Sequence, residues 1–124
     1  MLVIDAANVI GSRPTGWWRD RPGAARRFTE RVRATVAAGE LDPPVTIVLE
    51  GQARSGAGES DVGGVAVVHA LGEGDDTIAA IAADHQHEAV VVTADRGLAE
   101  RVRATDGDVV GPNWLLDRLT DWHG

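Results

Sequence analysis

Short apolar runs alternate along the chain with longer amphipathic stretches, which is the pattern of an α/β protein. The apolar runs predict five strands, at residues 2–6, 44–51, 65–70, 88–95 and 108–111. The stretches between them predict helices at residues 23–39, 75–85, 96–105 and 112–122. Because the strands are almost continuously apolar, both faces of the sheet must be covered. A mostly parallel sheet with helices on both sides is therefore expected.

One connection departs from this alternation. Residues 51–64, GQARSGAGESDVGG, are rich in glycine and join the second and third strands without a helical pattern. We predict a flexible loop or flap here, and so short a link can leave the third strand at the edge of the sheet. It is not a phosphate-binding P-loop, because it lacks the Gly-Lys-Ser/Thr ending.

The bulk composition favours a single domain over residues 1–124. The chain is 44% hydrophobic, which is enough for a core. It contains no cysteine, so disulfides and thiolate metal sites are excluded. No apolar run is long enough to span a membrane, and the N-terminal run lacks the basic start of a signal peptide. We therefore expect a cytoplasmic protein without a membrane partner.

Charge is unevenly distributed along the chain. The formal net charge of −7 argues against a protein that simply coats nucleic acid. All twelve basic residues are arginine, and seven of them fall within residues 13–33. This segment is either a solvated helix face or a local patch for phosphates, and the sequence leaves both interpretations open.

Acidic side chains recur where the predicted strands end. They are Asp5, Glu50, the adjacent Asp75 and Asp76, and Asp95, accompanied by Asn8 and Thr93. In open parallel sheets, ligands bind beyond the carboxyl ends of the strands, so we expect these groups to converge at one edge. Of the adjacent pair, one is expected to cap its helix while the other turns into the site.

Several carboxylates brought together cannot all stay ionised without compensation, and a divalent cation is the usual solution. The candidate donors are all oxygens, which suits Mg²⁺ or Mn²⁺ and argues against zinc. Such a site suits phosphodiester hydrolysis, because a metal activates water and neutralises charge on the phosphate. Each residue also has a structural interpretation. Asp75 and Asp95 can be helix caps, Asn8 can support a turn, and Glu50 can be a solvated loop residue.

Three segments occur in a characteristic order. They are VIDAANVIG at 3–11, GDDTIAA at 74–80 and VVTADRGL at 91–98. Together they resemble the bacterial NYN domains of the PIN-like nuclease superfamily, and the resemblance covers nearly the whole chain. It implies a Rossmann-like, three-layer α/β/α sandwich with strand order 3-2-1-4-5. It also implies a metal-dependent ribonuclease activity.

The resemblance assigns roles to individual residues. It implies that Asp5, Asp75, Asp76 and Asp95 hold Mg²⁺ or Mn²⁺ and that Asn8 orients the site. Many relatives carry a further acidic residue about four positions beyond the last of these aspartates. Here that position is Ala99, with Glu100 next to it. Whether one metal ion or two would bind therefore stays open.

Aromatic and basic residues near the acidic groups are candidate RNA contacts. They are Arg13, Trp17, Trp18 and Arg19, which follow the first acidic group, and Arg96, which follows the last. Tryptophan beside arginine can stack on unpaired bases. The alternative is that one or both tryptophans close the end of the sheet or pack in a subunit contact.

The histidines are expected to have structural roles or to lie at the surface. His85 and His87 lie at a helix end without a cysteine or a third ligand nearby, so we predict that they are surface residues. His69 ends the third predicted strand and is expected to have a hydrogen-bond partner there.

Taken together, the sequence predicts a Mg²⁺- or Mn²⁺-dependent endoribonuclease. Two alternatives stay open. The same acidic group could hydrolyse small nucleotides, or the domain could be a non-catalytic module that binds a protein partner or forms a homodimer. A receiver domain also gathers aspartates at a sheet edge, but it needs a lysine after the fifth strand and this chain has none.

Overall fold

A computed structural model describes residues 1–119 of the chain. The strands in this range are β1 Leu2–Asp5, β2 Val45–Leu49, β3 Ser60–Val62, β4 Val65–His69, β5 Val90–Val92 and β6 Asp108–Val110. The α-helices are α1 Ala6–Gly11, α2 Arg21–Ala37, α3 Gly74–His85, α4 Arg96–Ala104 and α5 Pro112–Leu116. Short 3₁₀ helices occur at Trp17–Arg19, Gly51–Gly56 and Gln86–Glu88.

The strands of residues 1–119 form one sheet in the order β3-β4-β2-β1-β5-β6. Neighbouring strands pair in parallel, except that β3 runs antiparallel to β4. The fold is therefore α/β with a mostly parallel sheet, as predicted. Counted along the chain, the five parallel strands lie in the order 3-2-1-4-5, and the antiparallel β3 is the difference from the expected five-stranded sheet.

Helices cover both faces of this sheet. Phe28 of α2 and Leu115 of α5 are fully buried on one face, and Ile78 of α3 and Leu98 of α4 are fully buried on the other. Successive residues of a strand point to opposite faces. In β1, Ile4 packs on the face covered by α2 and α5, and the residue before it packs on the face covered by α3 and α4. Burial on both sides is the reason why the strands are continuously apolar.

The prediction of a loop without helix or strand at 51–64 was wrong. This segment contains the 3₁₀ helix Gly51–Gly56 and the strand β3, so β3 and not β4 forms this edge of the sheet. Gly63 and Gly64 form the turn between β3 and β4, with φ angles of 64° and 81°. A two-residue hairpin turn of type I′ needs positive φ at both positions, and glycine supplies it without strain.

Two helices differ from the predicted ones. The strand predicted at 2–6 ends at Asp5, and the short helix α1, which was not predicted, begins directly after it. The helix predicted at 112–122 ends at Leu116 within the described chain, and the residues beyond 119 lie outside the described range. Within residues 1–119, no helix has the length and apolar character needed to cross a membrane.

The 3₁₀ helix Gly51–Gly56 packs closely against the start of α2. A Cβ atom at Gly56 would collide with the carbonyl oxygen of Pro22 and would lie 3.0 Å from Cβ of Ala25. We therefore expect Gly56→Ala to lower the free energy of unfolding by about 1–3 kcal/mol, as overpacking does. Urea denaturation measures this. Gly58→Ala is the matched control, because a Cβ there meets nothing within 4 Å. Equal losses in both variants would contradict the close packing.

Candidate active site

β1 lies where the strand order of the sheet reverses. Along the chain, β2 and β4 are added on one side of it, and β5 and β6 on the other. In open parallel sheets, the crevice beyond the carboxyl ends of the strands at such a point is the usual ligand site. Asp5 is the last residue of β1, so its carboxyl group lies at this crevice.

The Asp5 carboxyl group is almost completely buried, with 4% of the residue exposed. The Thr93 hydroxyl donates a hydrogen bond to its Oδ2 at 2.9 Å, and the backbone N–H of Asn8 donates to Oδ1 at 3.4 Å. Burial raises the pKa of Asp5 from 3.8 to about 6, against the lowering effect of these two hydrogen bonds. The charges of Asp75 and Glu50 raise the pKa further, so both carboxylates lie near Asp5.

Thr93 connects Asp5 to the start of α4. Its hydroxyl oxygen, which is buried, also accepts a hydrogen bond from the backbone N–H of Asp95 at 3.1 Å. Asp95 is the N-cap of α4, and its Oδ1 accepts from the N–H of Leu98 at 2.9 Å. The structural interpretation of Asp95 as a cap is therefore correct. The cap occupies Oδ1, and the structure gives no hydrogen bond to Oδ2 within residues 1–119.

Asn8 fixes the position of the connection between β5 and α4. Its side-chain Oδ1 accepts a hydrogen bond from the backbone N–H of Ala94 at 2.8 Å. This contact ties α1 to the segment that carries Thr93 and Asp95. Asn8 therefore acts as a positioning residue, because its side-chain oxygen is already bonded to the backbone.

The two adjacent aspartates at the start of α3, Asp75 and Asp76, have different surroundings in the structure. Asp75 is partly buried, and its pKa is raised first by burial and then by the charges of Asp95 and Glu73, while Arg101 lowers it. Asp76 points away, since its side chain is 84% exposed and forms an ion pair with Arg101 at 3.0 Å. The structure therefore brings Asp75, and not Asp76, towards the other predicted metal ligands.

Glu50 caps α3 from the end of the neighbouring strand β2. The N-cap residue Glu73 makes no capping hydrogen bond, whereas Oε2 of Glu50 accepts from the N–H of Gly74 at 3.1 Å. Glycine leaves room for this contact, because a Cβ at position 74 would lie 3.2 Å from Oε1 of Glu50. The prediction that Asp75 or Asp76 caps α3 was wrong, because a carboxylate from another strand already binds the start of the helix.

We call Asp5, Glu50, Asp75 and Asp95 the acidic cluster. Their donor chemistry fits Mg²⁺ or Mn²⁺, because every candidate ligand atom is a carboxylate oxygen. Within residues 1–119, no three acidic or histidine side chains are arranged so that they could hold a metal ion together. Glu50 and Asp95 each bind a helix start with one oxygen, which fixes these two carboxylates at the edge of the sheet.

The predicted RNA-contacting tryptophans lie just before α2. Their rings meet edge to face, with centroids 6.2 Å apart. Trp17 is partly buried against the core, whereas Trp18 is 52% exposed. The Arg19 guanidinium lies over the Trp18 ring, 5.9 Å from its centroid. One tryptophan is thus largely structural, and the other is presented to solvent beside an arginine.

The arginines of residues 13–33 do not form one patch. Arg13 donates to Oδ1 of Asn113 at 3.2 Å, which places it near the start of α5 at the carboxyl edge of the sheet. Arg33 lies near the other end of α2, where it donates to the Ser60 hydroxyl at 2.9 Å and holds β3. The arginines therefore lie near both ends of α2, and the interpretation of the segment as a patch for phosphates stays a prediction.

An open cleft lies beside Asp95, between α4 and β6. Its volume is about 460 Å³, and Arg96, Glu100 and Arg103 line it together with Thr93. Ala99 is buried at the wall of this cleft. Arg96 is exposed and directly follows Asp95 of the acidic cluster.

The three histidines within residues 1–119 are placed as predicted, and His123 lies outside the described residues. Nε2 of His69 lies 2.6 Å from the carbonyl oxygen of Ala57, which ties β4 to the preceding segment. His85 and His87 are exposed at the end of α3 that lies away from the acidic cluster.

Comparisons with protein-family models, with curated proteins and with solved structures find no match.

Proposed function

We propose that the chain is a Mg²⁺- or Mn²⁺-dependent phosphodiesterase that cleaves RNA internally, an endoribonuclease of the PIN-like NYN type. The observation that carries this proposal is the buried Asp5 at the reversal of strand order, with the charges of Asp75 and Glu50 beside it. At pH 7, a bound cation would favour the ionised form of a buried carboxylate that has other carboxylates beside it. The arrangement of the five parallel strands also supports the proposal, since it agrees with the order that the resemblance implies.

In the proposed mechanism, Asp5, Asp75 and Asp95 would hold the cation, and their carboxylates would come closer together around it than they lie without a metal. When bound, the metal ion would supply a Lewis acid that activates water and neutralises charge on the phosphate. Thr93 holds the Asp5 carboxylate through its hydroxyl, and Asn8 holds the backbone before Asp95. These two contacts hold the Asp5 carboxylate and the start of α4 in place before any substrate arrives, which a precise site requires.

RNA is favoured over a small nucleotide by the groups that surround the acidic cluster. Arg13 and Arg19 lie on the α1–α2 connection, and Arg96 lies on the opposite side at the start of α4. Arginines spread in this way can follow several phosphates of one strand. The exposed Trp18 adds a surface on which an unpaired base can stack.

The proposal is tested by incubating a labelled, structured RNA with the protein and Mn²⁺, Mg²⁺ or EDTA. We expect internal cuts with either metal and none with EDTA, because the acidic cluster cannot compensate the phosphate charge without a cation. Asp84→Asn is the control variant, since this exposed residue lies near the far end of α3 and should not change the rate.

Other outcomes would replace the proposal. If nucleoside triphosphates are hydrolysed while RNA stays uncut, the protein is a small-nucleotide hydrolase that uses the same residues. Absence of both cleavage and Mn²⁺ binding in calorimetry would favour the non-catalytic module. Cleavage that continues in EDTA would exclude the acidic cluster as the metal site of this reaction.

A further inference from the structure

A second cleft opens beside the acidic cluster, on the face of the sheet that α1 and α2 cover. Its volume is about 280 Å³. The apolar residues Ala6, Ile10 and Leu49, all buried, line it together with Trp17, Arg21 and Glu50. We call this the tryptophan cleft.

The tryptophan cleft adjoins the acidic cluster through two of its lining residues. Ala6 directly follows Asp5 in the chain, and the charge of Glu50 raises the pKa of Asp5. A nucleotide whose phosphate lies at the acidic cluster therefore has this cleft as an immediate neighbour.

The Trp17 ring is held in place from several sides. The guanidinium of Arg21 lies over it, with Cζ 5.0 Å from the ring centroid, and Trp18 meets it edge to face. Gly11 allows the ring to pack closely, because a Cβ at this position would lie 3.3 Å from Cζ2 of Trp17. The cleft therefore presents an indole and a guanidinium in a fixed arrangement, and both groups stack on nucleic-acid bases.

The chemistry of the lining favours an uncharged planar ring over a phosphate. Most of the lining is apolar, and the carboxylate of Glu50 would repel a phosphate group. The volume of about 280 Å³ lies just below the range of roughly 300–1,000 Å³ that is typical of pockets for whole small molecules. A single base fits these limits better than a complete nucleotide.

We propose that the tryptophan cleft binds one unpaired base of the RNA, next to the phosphate at the acidic cluster; this inference rests on the proposed function. A base can enter the cleft only when it is not paired, so the preferred substrate is single-stranded at this position. Trp17 and Arg21 are then specificity-determining residues that contact the base.

The test removes one base at a time from a short single-stranded RNA. Binding is measured by fluorescence anisotropy with the Asp95→Asn protein in Mg²⁺, so that cleavage does not interfere. We expect one abasic position to weaken binding by about 5- to 100-fold, which corresponds to the loss of one stacked base. In Trp17→Ala, this position-specific loss should disappear, because the stacking partner is already absent.

Two further variants keep the test independent of folding. Ala7→Leu adds a side chain that is favourable in a helix at an exposed position of the cleft lining, and it should also abolish the position-specific loss. Asp84→Asn should retain it, because this exposed residue lies near the far end of α3 and does not line the cleft. Equal small losses of affinity at every abasic position would overturn the inference. A position-specific loss of affinity that persists in both Trp17→Ala and Ala7→Leu would also overturn it.

The outcome also separates this inference from the proposed function. If the parent protein cleaves RNA but no single abasic position weakens binding, the proposed nuclease function stands and the binding of a base in the cleft is excluded. A base-specific loss that depends on Trp17, in a protein that never cuts RNA, would retain the cleft and reject the nuclease.

Discussion

Replacement of Asp95 by asparagine is expected to lower RNA cleavage by more than about 100-fold and to leave the fold intact. Oδ1 of Asp95 caps α4, and the charge of Asp95 raises the pKa of Asp75. Asparagine caps a helix as well as aspartate does, so the substitution removes mainly the charge. Loss of an outer partner of a metal ligand lowers activity by about 10- to 100-fold, and loss of a ligand should exceed this. Initial cleavage rates with Mn²⁺, together with urea denaturation, measure both effects.

Two variants sharpen this test. Asp76→Asn should cut RNA at nearly the parent rate, because the side chain of Asp76 is 84% exposed and pairs with Arg101. Asp95→Ala should be as inactive as Asp95→Asn but less stable by about 1 kcal/mol, since it also loses the cap. Cleavage by Asp95→Asn at the parent rate, or an equal loss in Asp76→Asn, would show that the assignment of the acidic cluster is wrong.

The metal-free protein is expected to become less stable as the pH rises from about 4 to about 7. Burial raises the pKa of Asp5 from 3.8 to about 6. Between these values the folded protein holds a proton that the unfolded chain has released, so a rise in pH favours unfolding. The difference between the two pKa values corresponds to about 3 kcal/mol at pH 7. The raised pKa of Asp75 acts in the same direction.

This expectation is measured by urea denaturation in EDTA across that pH range. In Asp5→Asn the dependence should largely vanish, and at pH 7 the variant should be more stable than the parent by about 2 kcal/mol. The gain is smaller than the full effect, because asparagine keeps only one of the two oxygens that accept hydrogen bonds from Thr93 and Asn8, and one such bond is worth about 1 kcal/mol. Asp84→Asn should follow the parent curve, and Mn²⁺ should stabilise the parent at pH 7. If the free energy of unfolding of the parent protein does not change between about pH 4 and about pH 7, the raised pKa of Asp5 is contradicted.

The parts of the site that lie at strand ends could be predicted from the sequence. An apolar run followed by a polar residue is a local pattern, and it placed Asp5 at the end of β1 and Asp95 just beyond β5. The order of the strands is not local, and here only the family resemblance supplied it. The turn at Gly63 and Gly64 is local as well, so two adjacent glycines directly before an apolar run could have indicated a hairpin and hence β3.

The partners of the acidic residues could not be predicted, because they are distant in sequence. Glu50 and Gly74 are 24 residues apart, and Thr93 and Asp5 are 88 residues apart. Which of two adjacent aspartates turns outward likewise depends on Arg101, which is 25 residues from Asp76. Such contacts arise from the packing of strands and helices, and no local periodicity encodes them.

The cap that Asp95 forms on α4 has a consequence for the evolution of this domain. An aspartate codon becomes an asparagine codon by one nucleotide change, and the resulting chain would keep a capped α4. Under the proposed function, a duplicated gene with this change would lose catalysis without producing a misfolded product that proteases remove. Selection could then retain the silent copy for its surface alone, and descendants with asparagine at this position would be intact in structure and inactive in chemistry.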